Sequence, residues 1–237
     1  MSGFDISSAH FPATDNLPDN ITLGTLDSFI DTIPEAMIGK FDIVHVRAFA
    51  AVVKNDNPGP LITNALKMLK PGGYFQWDEI DSDSLRAVPP NLSISAISTQ
   101  DMLDTAVLSS KNAMNLNYQW CSNLGSILRH YGLDVIADTR MEVKKELRKP
   151  TTDSILMAFE HIAKIAVRDG CMVGTNKNWA NLWNNSRPEI DNGVTQLYPM
   201  NNMVIDSPSP LPSLGTYADS TYTAFDPIFL SYHSNMD

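Results

Sequence analysis

One stretch constrains this 237-residue chain more than any other. Phe41-Asp42-Ile43-Val44-His45-Val46-Arg47 is short, rich in β-branched residues and almost continuously apolar. That pattern predicts a strand buried on both faces, as in a parallel sheet. Behind it, Asn57-Pro58 opens a helix in which Leu61, Ile62, Ala65, Leu66 and Leu69 recur on one face. Lys67 and Lys70 stand near its end, where cations complement the helix dipole. Pro71-Gly72-Gly73 stops it. A second strand over 74–80 then runs into the acidic residues Asp78, Glu79, Asp81 and Asp83. Strand, helix and strand joined by tight turns predict an α/β domain with a mainly parallel sheet.

Upstream, Gly3-Phe4-Asp5-Ile6 reads as a strand stub, and 21–26 as a strand ending at Asp27. Downstream, Ser98 and Asp101 form a capping-box pattern ahead of Met102, Leu103, Ala106 and Val107. Trp120, Leu124, Ile127, Leu128 and Tyr131 repeat at helical spacing until Gly132. Residues 133–143 suit a strand, 152–168 a helix and 193–206 a last strand. Pro208, Pro210 and Pro212 among many Ser, Thr and Tyr predict an irregular tail over 206–237, leaving 1–205 as the folded domain.

Composition narrows the partners. With 17 basic and 27 acidic residues the formal charge is −10, which argues against a nucleic-acid backbone as partner, since such affinity comes from Lys and Arg. The dense basic run Lys144, Lys145, Arg148 and Lys149 reads as a solvated segment. Cys121 and Cys171 have no metal-binding spacing and read as free thiols. A basic-then-apolar leader and a membrane-length apolar run are not seen, so a soluble, cytoplasmic protein is expected, with no membrane partner.

Ligands of doubly wound sheets bind at the carboxyl ends of the strands. Those positions are Asp5, Asp27, Arg47 and the Asp78-Glu79 pair. A strand-end carboxylate can accept hydrogen bonds from ribose hydroxyls or an adenine amino group. The same aspartates can equally be read as Asx turns or helix caps. The four acidic residues at 78–83 read as a solvated loop rather than a metal site, and no G-x-S-x-G hydrolase elbow occurs.

The order of Gly3-Phe4-Asp5-Ile6-Ser7, Leu17-Pro18-Asp19-Asn20-Ile21-Thr22, Asp27, Gly39-Lys40 leading into 41–47, and Leu69-Lys70-Pro71-Gly72-Gly73-Tyr74-Phe75-Gln76-Trp77-Asp78-Glu79 resembles the class I S-adenosylmethionine-dependent methyltransferases, within them a group of fungal secondary metabolism. The resemblance is strong over 3–81, weaker to about 205 and absent from the tail. It implies a Rossmann-like, doubly wound, mainly parallel sheet with a helical lid at about 95–131, S-adenosylmethionine as cofactor and a small-molecule methyl acceptor. Asp5 would meet the ribose and Asp27 with Ser28 the adenine. His45 and Arg47 would floor the cofactor cleft, and Trp77 and Glu79 would face the substrate. His45 is also readable as a core histidine, and Trp120 as a core residue. His130, His161 and Glu79 are the candidate bases.

One departure carries weight. In the family, a first strand and an acidic-Gly-x-Gly-x-Gly turn precede the positions numbered 3–7 here, and that strand lies between the second and fourth. The resemblance therefore implies an N-terminally truncated form. The second and fourth strands could pair directly, another chain could supply the strand (a homodimer or partner covering the exposed edges), or the sequence is an incomplete version. The alternatives to a working methyltransferase are a methyltransferase-fold protein that no longer methylates, such as a cyclase, isomerase or binding partner, and a non-functional truncated product.

Overall fold

The structure is a computed structural model that describes the backbone of residues 1–9, 11–197 and 199–206, and side chains through residue 195 apart from those at 10 and 162. The tail expected over 206–237 lies almost wholly outside the described residues.

Two short strands open the chain. β1 (Ser2–Asp5) and β2 (Thr22–Thr25) pair in parallel, with Ser2 opposite Thr22 and Asp5 opposite Thr25. β3 (Phe41–Arg47), helix α1 (Gly59–Met68) and β4 (Leu69–Ile80) then form the crossover unit expected from the sequence, with β3 and β4 parallel. β5 (Arg86–Val88) leads to α2 (Ile97–Met114), α3 (Gln119–Ser122) and α4 (Leu124–His130). β6 (Asp134–Glu142) and α5 (Arg148–Ile165) follow. The hairpin of β7 (Val167–Arg168) and β8 (Cys171–Met172) turns through Asp169 and Gly170, both at positive φ. That is the Asp-Gly signature of a two-residue hairpin loop. The last elements are α6 (Trp179–Asp191), β9 (Thr195–Leu197) and β10 (Pro199–Asp206).

The main sheet has the order β3-β4-β10-β6. β10 runs antiparallel to both β4 and β6, so the sheet is parallel at its β3 end and antiparallel at its β6 end. β1 and β2 form a separate two-stranded sheet. Of the three outcomes weighed for the second and fourth strands, direct pairing is not the one adopted: among the described residues β1 and β3 share no ladder, and contact at their starts is the edge-on packing of Phe4 on Phe41, centroids 6.2 Å apart.

This split corrects the burial expected of 41–47. Asp42, Ile43 and His45 are exposed and Ile43 keeps 52% of its surface, while Val46 is buried. As the edge of the main sheet, β3 is covered on the α1 side, where Val44 and Val46 point, and not on the other. The Pro-Gly-Gly turn is also more than a helix stop. Phe41 stands opposite Leu69 but Ile43 opposite Tyr74, so residues 70–73 bulge inside β4. Gly73 sits where a Cβ would come within 3.0 Å of the carbonyl oxygens of Asp42 and Lys70, so backbone approaches backbone there as only glycine permits.

Two apolar cores result. The first joins Val46, Phe75 and Trp77 of the sheet to α1, α3 and α4 through Leu61, Ile62, Trp120 and Leu124. The second joins α2, α5 and α6 through Met102, Leu103, Phe159 and Leu182. The stretch expected as one lid is thus shared between them, with Val107 of α2 packed against both. The capping box at Ser98 is not formed. α2 begins earlier, at Ile97, and its free amides are capped by Glu189 of α6, which accepts from Ser98 N at 3.2 Å, Thr99 N at 2.7 Å and Thr99 Oγ1 at 2.8 Å. Neither cysteine is in a disulfide, and among the described residues no helix is long and apolar enough to cross a membrane.

Candidate functional site

The parallel strands deliver their carboxyl ends to the loops after β1, β2, β3 and β4, and these loops hold most of the residues singled out from the sequence. Asp5 ends β1 and is buried, and its Oδ1 accepts the amide of Ser7 at 3.0 Å. Asp27 lies just past β2, exposed, with Oδ1 on the amide of Phe29 at 2.9 Å. Both aspartates therefore make the Asx turn that was one of their two readings. That turn does not use up a carboxylate, which has about four lone-pair positions. Ser28 follows, its carbonyl held by Asn64 of α1 at 3.0 Å, with Ile30 O on the same amide at 2.8 Å. Asn64 is nearly buried and was missed in the sequence, where it is one polar residue on an otherwise apolar helix face.

The β3–β4 register brings a second group together. His45 Nε2 lies 2.8 Å from Asp78 Oδ2, with the imidazole 41% exposed and the Asp78 side chain 9% exposed. Gln76 donates to both oxygens of Asp78, at 3.2 and 3.3 Å. Arg47 stands opposite Asp78 in the ladder. His45 is thus neither free on the surface nor a backbone-satisfied core histidine. The two groups meet through side-chain packing, Phe29 of the β2 loop lying 6.4 Å from Phe49 of the β3 loop.

Trp77 and Glu79, which the resemblance puts on the substrate side, lie in the interior. Both are fully buried, because β4 is flanked on both edges and Trp77 points into the first core. Glu79 works inward: its Oε2 accepts Phe49 N at 2.8 Å and Trp77 Nε1 at 3.0 Å, and its Oε1 accepts Ile80 N at 2.9 Å. Burial pushes its carboxyl up to about 7 against the pull of those hydrogen bonds. Trp120 is buried against Trp77, ring centroids 5.4 Å apart.

The acidic run at the end of β4 and just past it is divided among different partners. Asp78 takes His45, Glu79 the β3 loop, Asp81 takes Arg140 at 2.5 Å with Ser84 and Ser122, and Asp83 pairs with Lys111. Among the described residues no grouping of His, Cys, Asp and Glu could hold a metal ion. A cavity of about 210 Å³ opens between this loop and α2, lined by Ser82, Asp83, Leu85, Asp104, Leu108 and Lys111 among others. Of the other candidate bases, His130 is exposed at the end of α4 and His161 lies half-buried on α5, away from the strand ends.

No known family model matches the chain. Methyltransferase grgD of a Penicillium species is 37% identical over 82 residues, 35% of this chain and 28% of that protein. Methyltransferase psoC of Aspergillus fumigatus is 32% identical over 142 residues, 60% of this chain and 47% of that protein. Over the matched stretch, the chain is related to fungal methyltransferases. The chain spans less than half the length of these two methyltransferases. Among solved structures, the [4+2]-cyclase SpnF aligns over 88% of this chain and 67% of its own, at 16% identity and a TM-score of 0.46. At that level the evidence on fold is the strand order and register described above.

Proposed function

We propose that this chain is the body of an S-adenosylmethionine-dependent methyltransferase that acts on a small molecule in the cytoplasm. The observation that carries the reading is the placement of Asp5 and Asp27 at the ends of two adjacent parallel strands, in a chain related to fungal methyltransferases. Each carboxylate has one oxygen anchored by its own loop. That anchoring fixes its direction and suits it to accept from ribose hydroxyls and, with Ser28, from the adenine edge. His45 and Arg47 would line the floor of the cofactor cleft, on the side where the transferable methyl meets the acceptor. These residues fit the nucleoside end of the group. When bound, S-adenosylmethionine supplies an electrophilic methyl on a sulfonium, and the chain's contribution is chiefly to hold two reactants in line.

The open edge of β3 belongs to the same reading, because a partner strand there would satisfy backbone groups that the main sheet leaves unpaired. Titration calorimetry with S-adenosylmethionine tests the proposal. A micromolar dissociation constant is expected, weakened about tenfold or more by Asp27→Ala, roughly the 1.4 kcal/mol of one lost charge-assisted hydrogen bond. Asp5→Ala should weaken binding as well, with circular dichroism checking that its turn survives. No heat of binding at millimolar cofactor refutes the proposal and leaves a methyltransferase-fold protein that does not methylate.

A further inference from the structure

We propose that His45 is the base that takes the proton of the incoming methyl acceptor, and that Asp78 is its positioning residue. The inference rests on the methyltransferase reading above and adds to it a chemical class of acceptor: a nucleophile that arrives with its proton on, as a hydroxyl or a protonated amine does.

The argument starts from which nitrogen is bonded. The Gln76 amide nitrogen donates to both oxygens of Asp78, which suits the acceptor-only carboxylate. His45 Nε2 must then carry the hydrogen at its 2.8 Å contact with Asp78. In the neutral ring this leaves Nδ1 as the acceptor. The imidazole is 41% exposed, whereas Asp78 beneath it is nearly buried. A buried carboxylate orienting a half-exposed imidazole is the arrangement that fixes a tautomer and stabilises the imidazolium once a proton arrives. The pair sits near the carboxyl ends of two parallel strands, where ligands of such sheets bind.

The step balances. The acceptor's lone pair forms a bond to the methyl carbon as the carbon–sulfur bond breaks, and that pair stays on the sulfur of the resulting thioether. The acceptor's proton passes to Nδ1, giving an imidazolium whose charge Asp78 offsets. A base so placed contributes about 10²–10⁴ in rate.

The test needs no identified acceptor. Nitrogen-15 spectra of wild type and Asp78→Asn, assigned with His45→Gln, report the tautomer, and protonated Nε2 with bare Nδ1 is expected in the wild type. Methyl 4-nitrobenzenesulfonate then probes the bare nitrogen. Methylation of His45 at Nδ1 should be at least about tenfold faster in wild type than in Asp78→Asn, with the exposed His130 as internal control. Equal rates, a methyl on Nε2, or a proton on Nδ1 overturns the assignment. Calorimetry on the same wild-type sample separates the two ideas. Cofactor binding with an unreactive His45 keeps the methyltransferase reading and overturns the base. A reactive His45 without cofactor binding removes the methyltransferase reading and, with it, the role proposed here.

Discussion

Glu79 is a carboxyl at the centre of the protein, and its burial makes stability fall as pH rises. In the unfolded chain it titrates near 4.5, whereas in the folded protein desolvation raises it to about 7. Below pH 4.5 both states hold the proton and nothing is lost. Between 4.5 and 7 the unfolded state releases it and the folded state keeps it, so each pH unit costs the fold about 1.4 kcal/mol. Above 7 the penalty levels off at about 3 kcal/mol. Glu79→Gln removes the ionisation while nearly keeping the shape. Its oxygen can still accept from Phe49 N and Trp77 Nε1, but its amide would face the Ile80 N–H, a fixed cost of about 1 kcal/mol. Urea denaturation of both proteins at pH 4.5 and pH 8 measures the effect. The stability of Glu79→Gln relative to wild type should improve by about 3 kcal/mol across that range, which is about 1 M or more in midpoint for slopes near 1–3 kcal/mol per molar. Groups that titrate in the opposite sense are common to both proteins and cancel. A difference that stays constant with pH refutes the reasoning, because it means that Glu79 keeps an ordinary affinity for protons inside the fold.

Glu189→Ala should destabilise by about 1–2 kcal/mol, because it uncaps three donors at the start of α2; its loss should be read by thermal melting, and Ser98→Ala should have little effect. Although burial pushes the Glu189 carboxyl up, hydrogen bonds from Thr99, Ser95 and Ser98 outweigh it and hold it below its usual range, so this contribution is lost as pH falls below about 4.5, a loss that a melting series in acid follows. Hydrogen exchange should find alternate amides of β3 unprotected, since β3 is an edge, while residues 75–78 of β4, paired with both β3 and β10, are protected; full protection of β3 would refute the split sheet.

The crossover unit from β3 to β4 was legible because its signals are local: β-branched runs, helical spacing of Leu61, Ile62 and Ala65, and a Pro-Gly-Gly break. α6 was not, because Asn181, Asn184, Asn185 and an internal Pro188 hide a helix whose buried face is carried by Leu182, Ser186 and Ile190. The exposure of Ile43 was not legible either, since a strand's burial is decided by its neighbours and β3 has a partner on one side only. At the site, sequence reasoning found the strand-end positions but not their partners. Asp78 reaches His45 because the bulge at 70–73 shifts the register between Phe41 and Ile43, and no spacing rule announces such a shift. The family resemblance puts Trp77 and Glu79 on the substrate side, whereas strand alternation, once the register is set, sends Trp77 into the core, and its indole carries Glu79 with it.

The two halves of the candidate site are joined differently from the way each half is built. Within each half, ladder hydrogen bonds fix the geometry: Asp5 and Thr25 are register partners, as are Arg47 and Asp78. Between the halves the links include Phe4 on Phe41, Phe29 on Phe49, and the Asn64 amide on two carbonyls of the β2 loop. Asn64 supplies a polar, directional link. It is nearly buried, its amide donates to Ser28 and Ile30, and it rides on α1, the helix that also packs behind β3. Through that one side chain the crossover helix positions the loop that carries Asp27, so the alignment of the site depends on a polar residue facing the core of an otherwise apolar helix.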